Sequence, residues 1–119
     1  MTRVLLWQWQ RRGGGPKYTL ELARALKARG RVDLALSVSR QAEILGAFTT
    51  LGVPLQQIDT YRGALGFLAA AARLPAVRRA FANYLRQQRI ETVVATMSHL
   101  WNPVMVDLVG RAGARLVTV

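Results

Sequence analysis

A chain of 119 residues that is 51% hydrophobic has room for one domain with a substantial core and too little for two of ordinary size. It contains no cysteine, which excludes a disulfide framework and thiolate metal sites, and its lone His99 has none of the six Asp and Glu within six residues, so no metal site is expected. Seventeen Lys and Arg against six Asp and Glu give a net charge of +11, a balance that points to polyanionic partners such as phosphate-bearing lipid or nucleic acid.

No apolar run approaches the roughly 20 residues that span a bilayer. The opening run Val4-Leu5-Leu6-Trp7 is also too short for the core of a signal peptide. A cytoplasmic location is therefore expected. That opening run, ending in polar Gln8-Trp9-Gln10, reads as a central strand of a parallel sheet, buried on both faces. Arg11-Arg12-Gly13-Gly14-Gly15 then reads as a loop, and Pro16 suits the first turn of a helix, where its missing N–H costs nothing. Leu22, Ala25, Leu26 and Arg29 keep helical spacing until Gly30 stops it. Residues 32–39 alternate as a strand, residues 41–51 form a short helix closed by Gly52, and residues 54–61 form a third, weaker strand.

Residues 64–73 are alanine-rich and helical, and the helix breaks at Leu74-Pro75 because proline disfavours helical geometry in the residue before it. A new helix follows with Val77, Ala80, Phe81, Tyr84 and Leu85 on its core-facing stripe. Residues 92–97 form the fourth strand, Pro103 opens a helix to about Arg111 with Asn102 as N-cap, and residues 116–119 begin a fifth strand. Alternating strands and helices predict an α/β domain over residues 1–119, a parallel sheet with helices on both faces. The last strand stops without its following loop or helix, as in an incomplete lobe.

In such a sheet, ligands bind beyond the carboxyl ends of the strands near the switch in strand order, where the glycine loop and His99 both fall. The backbone N–H groups of Gly13, Gly14 and Gly15 can approach an anion, the following helix N-terminus adds partial positive charge, and Arg11, Arg12 and Lys17 supplement it. The alternative is a flexible turn. His99, in Thr96-Met97-Ser98-His99, is either a site residue or a satisfied structural histidine. Ser98 and Asn102 have turn and capping readings, and Trp7, Trp9 and Trp101 are packing or cleft-lining residues. Neither the G-x-G-x-x-G of a dinucleotide loop nor the G-x-x-x-x-G-K-[ST] of a phosphate loop occurs, and Ser39-Arg40 stands where a ribose-binding acid would close the second strand.

These pieces resemble the N-terminal lobe of GT-B glycosyltransferases, specifically the retaining family 4 enzymes that include phosphatidylinositol mannosyltransferases. Arg12-Gly13-Gly14-Gly15 before the helix from Leu20 to Gly30 resembles the family's opening, a Gly-Gly loop followed by L-A-x-x-L-x-x-x-G. Thr96-Met97-Ser98-His99 resembles its histidine-bearing segment, and Arg115-Leu116-Val117-Thr118-Val119 its next strand. Arg31-Val32-Asp33 departs from the usual G-H-x-V, and the E-x7-E segment of the second lobe has no counterpart in residues 1–119. The resemblance implies a Rossmann-like lobe of a hexosyl transfer enzyme, with His99 against the transferred sugar and Gly14 and Gly15 against the donor's phosphate or the acceptor. It further implies a nucleotide-sugar as substrate with no separate cofactor, a phosphate-bearing or lipid-linked acceptor, and a C-terminal lobe that holds the donor. Alone, the chain is expected to be inactive.

On a helical wheel of about 100° per residue, Arg78, Arg79, Arg86 and Arg89 cluster opposite Val77, Phe81, Tyr84 and Leu85. This basic face suits adsorption to an anionic inner membrane surface, as a peripheral contact, or is a solvated helix face. The competing function is a basic Rossmann-like domain that binds a ligand or nucleic acid without catalysis. No helix-turn-helix, zinc-finger or RNA-binding motif supports nucleic acid.

Overall fold

The computed structural model describes residues 2–10, 14–58, 72–96 and 102–118, with the backbone alone at 102–104. Strands and helices alternate as β1 Thr2–Gln8, α1 Gly14–Arg29, β2 Val32–Ser39, α2 Leu45–Thr49, β3 Leu55–Ile58, α3 Leu74–Gln87, β4 Thr92–Ala95, α4 Asn102–Arg111 and β5 Arg115–Thr118. All five strands run parallel in the order β3-β2-β1-β4-β5. The fold is α/β and Rossmann-like, as the alternation predicts. Most of the expected helix over residues 64–73 lies outside the described residues.

β1 sits in the middle, with Leu6 registered against Leu36 of β2 on one side and Val94 of β4 on the other. Successive strand side chains point to opposite faces, so its apolar run supplies two cores at once. Leu5 and Trp7 enter one core with Val93, Ala95, Val77, Phe81 and Leu85 of α3, and Met105, Leu108 and Val109 of α4. Val4 and Leu6 enter the other with Leu34, Leu36, Leu20, Ala23 and Phe48, under α1 and α2.

The boundaries shift for identifiable reasons. α1 ends where expected, because Gly30 adopts φ +65°, the left-handed geometry that glycine tolerates best, while its N–H bonds the carbonyls of Leu26 and Lys27. α2 is shorter than the expected 41–51. The Ser39 hydroxyl accepts from the Gln41 N–H at 3.1 Å, and the Ala42 N–H bonds the Ser39 carbonyl, so the chain turns before it can coil. Ala80, expected on the core stripe of α3, is exposed, and its carbonyl accepts from Gln56 Nε2 at 2.9 Å.

Under α3, Phe81 packs between Trp7 and Trp9 with ring centroids 5.0 and 5.3 Å away, and the two indoles meet edge-to-face at 5.4 Å. A polar thread crosses this layer: Trp9 Nε1 donates to Ser37 Oγ, Ser37 Oγ to Gln56 Oε1, and Gln56 Nε2 to the Ala80 carbonyl, each at 2.9 Å. The buried Trp7 Nε1 and Tyr84 hydroxyl have no hydrogen-bond partner among the described residues. Burial pushes the Tyr84 phenol up to about 12, weakly opposed by the nearby Leu36 backbone.

Two stability measurements test this layer. Phe81→Ala removes a fully buried ring from between two indoles and is expected to cost about 4 kcal/mol in urea unfolding; a loss under about 1.5 kcal/mol would mean that the layer collapses to fill the gap. Tyr84 makes stability depend on alkaline pH. Below its ordinary pKa of 10.0 both folded and unfolded states hold the proton, and between there and about 12 the unfolded state releases it first. Stability therefore falls across that window, and Tyr84→Phe flattens the fall when urea midpoints at pH 9 and pH 11 are compared. Equal slopes for the two proteins would assign the pH dependence to other groups.

Candidate functional site at the switch in strand order

The strand order reverses at β1, whose neighbours β2 and β4 are entered by crossovers on opposite faces. At the carboxyl ends of β1 and β4 three polar side chains are buried together: Gln8 at 1% exposure, Thr19 at 0% and Thr96 at 7%. Gln8 Nε2 donates to Thr96 Oγ1 at 3.2 Å and to Thr19 Oγ1 at 3.4 Å. The two threonine hydroxyls are 2.7 Å apart, and Thr19 Oγ1 also donates to the Gly15 carbonyl at 2.9 Å. Gln8 Oε1 accepts from the Gln10 N–H at 2.7 Å, and the Thr96 N–H bonds the Trp7 carbonyl at 3.3 Å. The cluster joins the end of β1, the first turns of α1 and the end of β4.

Gly14 and Gly15, expected in a loop, are the first two residues of α1. Pro16 in the same turn already has helical φ and no N–H to satisfy, so a helix that reaches back to Gly14 loses no bond there. No acidic side chain stands in this turn, and Gly14 and Lys17 are exposed. A Cβ built on Gly14 meets nothing within 4 Å, and its φ is not in the left-handed region. Glycine there leaves the approach to the helix end open and is not required by backbone strain. Arg11, Arg12, Gly13, Ser98, His99 and Trp101 lie outside the described residues, as does the side chain of Asn102. The segment that carries His99 begins at Thr96, beside β1, so the strands preceding both candidate segments end side by side. Trp7 and Trp9 belong to the core.

The basic face of α3 divides. Arg79 and Arg86 are exposed, and with Arg78 and Arg111 they line a groove of about 320 Å³ between α3 and α4, floored by Pro75, Ala82, Leu108 and Ala112. Arg89 lies past the helix end at φ 52°. Arg78 forms a two-pronged pair with Asp107 on α4, Nη1 to Oδ1 at 3.0 Å and Nη2 to Oδ2 at 2.9 Å, and Arg111 Nη2 approaches the same Oδ2 at 3.6 Å. The hydrogen bond from Arg78 holds the Asp107 carboxyl below its ordinary pKa, and the reciprocal contact raises that of Arg78. Arg78 is thus a helix-to-helix clasp more than a projecting cation. Among the described residues no three His, Cys, Asp or Glu side chains gather as a metal site would need, and no helix is long and apolar enough to cross a membrane.

The buried cluster escapes sequence reasoning because its members are far apart in the chain. The one visible signal is a glutamine closing an otherwise apolar central strand, which must find partners if it is buried.

No protein-family model and no curated protein sequence matches the chain. Among solved structures, MurG of Acinetobacter baumannii superposes with a TM-score of 0.76 at 15% identity, covering 99% of this chain and 34% of MurG. The chain thus spans about a third of the length of MurG. The C-terminal domain of the hydrogenase PF1911 from Pyrococcus furiosus superposes with a TM-score of 0.68 at 13% identity, covering 99% of this chain and 91% of that domain. At these identities the likeness is one of fold.

Proposed function

We propose that residues 1–119 are the acceptor-side lobe of a glycosyltransferase that moves a hexosyl group from a nucleotide-sugar to a phosphate-bearing or lipid-linked acceptor. The observation that carries this reading is the switch-point edge, where the open, acid-free N-terminus of α1 stands beside the end of β4. Helix amides at such an end favour an anion, and the phosphates of donor or acceptor supply one. The superposition on part of MurG, itself a GT-B glycosyltransferase, supports the same assignment. In this reading Gly13, Gly14, Gly15, Arg12 and Lys17 attend the phosphates and His99 contacts the transferred sugar. A second lobe holds the donor nucleotide, and the enzyme is of the retaining family 4 type. No cofactor beyond the nucleotide-sugar substrate is needed. Arg79, Arg86 and Arg89 suit contact with an anionic membrane surface, the setting of a lipid-linked acceptor at the inner face of the membrane.

A second reading is a basic Rossmann-like ligand-binding domain without catalysis; the hydrogenase domain supports it only in that a chain of this extent and fold also occurs outside glycosyltransferases. Nucleic acid is the weaker ligand for it, since the described basic residues are scattered over helices, strands and turns with no base-stacking platform among them.

Kinetics separate these readings. In the complete enzyme His99→Ala is expected to lower kcat by about 100-fold with little loss of thermal stability. Gly14→Val is expected to raise the KM for a phosphate-bearing substrate without unfolding the chain, because its side chain has open space to enter. The 119-residue chain alone should show no transfer. Wild-type turnover in His99→Ala would remove His99 from the site, and ligand binding without transfer by the complete protein would favour the second reading.

Vesicle binding tests the basic face. Sedimentation with anionic vesicles should weaken by about fivefold for each of Arg79→Gln, Arg86→Gln and Arg89→Gln, and should weaken further as salt rises. Arg78→Gln should act chiefly on α3–α4 docking, since it breaks the pair with Asp107. Binding insensitive to both salt and the three substitutions would place the contact elsewhere.

A further inference from the structure

We propose that Gln8, Thr19 and Thr96 are positioning residues that lock the first turns of α1 to the end of β4, so that these two elements lose their backbone protection together. The direction of the hydrogen bonds follows from counting protons. A threonine hydroxyl has one hydrogen, and that of Thr19 is given to the Gly15 carbonyl. The 2.7 Å contact between the hydroxyls is then made by the Thr96 proton, with Thr19 Oγ1 accepting. Gln8 Nε2 has two hydrogens and directs them at the two hydroxyl oxygens, while Gln8 Oε1 is held by the Gln10 N–H. The result is one directed relay, from the amide of Gln8 through Thr96 and Thr19 to the backbone of Gly15.

Every proton in this relay has an acceptor, and the side chains that carry it are at least nine-tenths buried. Breaking any link strands a buried polar group on a different element, which costs more than the bond itself contributes. That asymmetry makes the three residues act together. Gly15 belongs to the first turn of α1 and Thr96 follows the last residue of β4, so the relay ties the start of the helix to the end of the strand. The role in catalysis rests on the proposed function, but the mechanical lock does not.

Amide hydrogen exchange on the 119-residue chain, read by NMR, decides it. Thr19→Val keeps the shape of the side chain and removes the hydroxyl. It is expected to leave the Leu5 and Leu36 amides protected while speeding exchange at the Thr96 amide, on another element, by about fivefold or more. Thr19→Ser should restore the Thr96 rate, and Thr96→Val should speed the Thr19 amide in return. If the valine variants do not fold, the wild-type chain still gives the answer, because the Thr19 and Thr96 amides should then share one dependence on low denaturant concentration. An unchanged Thr96 rate in folded Thr19→Val, failure of serine to restore it, or different denaturant dependences of the two amides in the wild type would each overturn the lock. Adding inorganic pyrophosphate to the wild-type chain tests the ligand reading separately: shifts at the Gly14 and Gly15 amides support it, and their absence counts against that reading while the exchange result stands.

Discussion

Everything in this fold hangs on the burial of β1 from every direction. Its backbone is paired on both sides and its side chains fill both cores, so each position in Val4–Gln8 must be apolar or fully hydrogen-bonded. Four of the five are apolar in bulk, with the Trp7 indole N–H the one polar atom among them that has no partner among the described residues. The fifth, Gln8, stands at the carboxyl end where the neighbouring strand and the following helix can reach it, and the buried polar cluster is the consequence. The demand that buries β1 thus also sets where polar chemistry can enter the domain. Moving the glutamine two residues back would keep it on the same face but place it at Leu6, among Leu34, Leu36 and Leu20 with no comparable partners.

Much of the architecture was legible because it depends on local rules. The continuous apolar run of β1, the glycine stop at Gly30 and the helix start at Leu74-Pro75 each express a constraint felt within a few residues, and the structure keeps all three; residues 32–39 form the expected strand, but their burial does not alternate, because β2 is covered on both faces and Ser37 and Ser39 are buried too. Boundaries moved where a side chain competed with the backbone. Ser39 delays α2, whereas α1 begins two residues before Pro16 because the proline has no N–H to satisfy in that turn.

The candidate site was only half legible. The glycines and the strand end before His99 could be placed because parallel-sheet topology sends successive loops to a common edge. Thr19 and Thr96 could not, since their contact joins residues 77 apart in the chain and a threonine on a helix has many local uses. The helical wheel likewise placed Arg78 among the outward cations but could not show that Asp107, on the next helix, would claim it.

The distribution of charge separates two kinds of recognition within one small domain. At the switch-point edge the buried groups are neutral, a glutamine and two threonines joined by hydrogen bonds, with Lys17 exposed in the first turn of α1 beside them. On the outer groove the groups are arginines, of which Arg78 and Arg111 share Asp107. Fixed amide dipoles at a helix end act over short distances and demand that a ligand fit closely, whereas exposed guanidinium groups attract any polyanion and are screened beyond about 10 Å at 0.1 M salt. The groove can therefore contribute to encounter with a charged surface, while selectivity has to come from the edge. A charge of +11 therefore does not by itself make the domain a nucleic-acid binder: charge attracts polyanions in general, and only fixed polar geometry distinguishes one phosphate-bearing ligand from another.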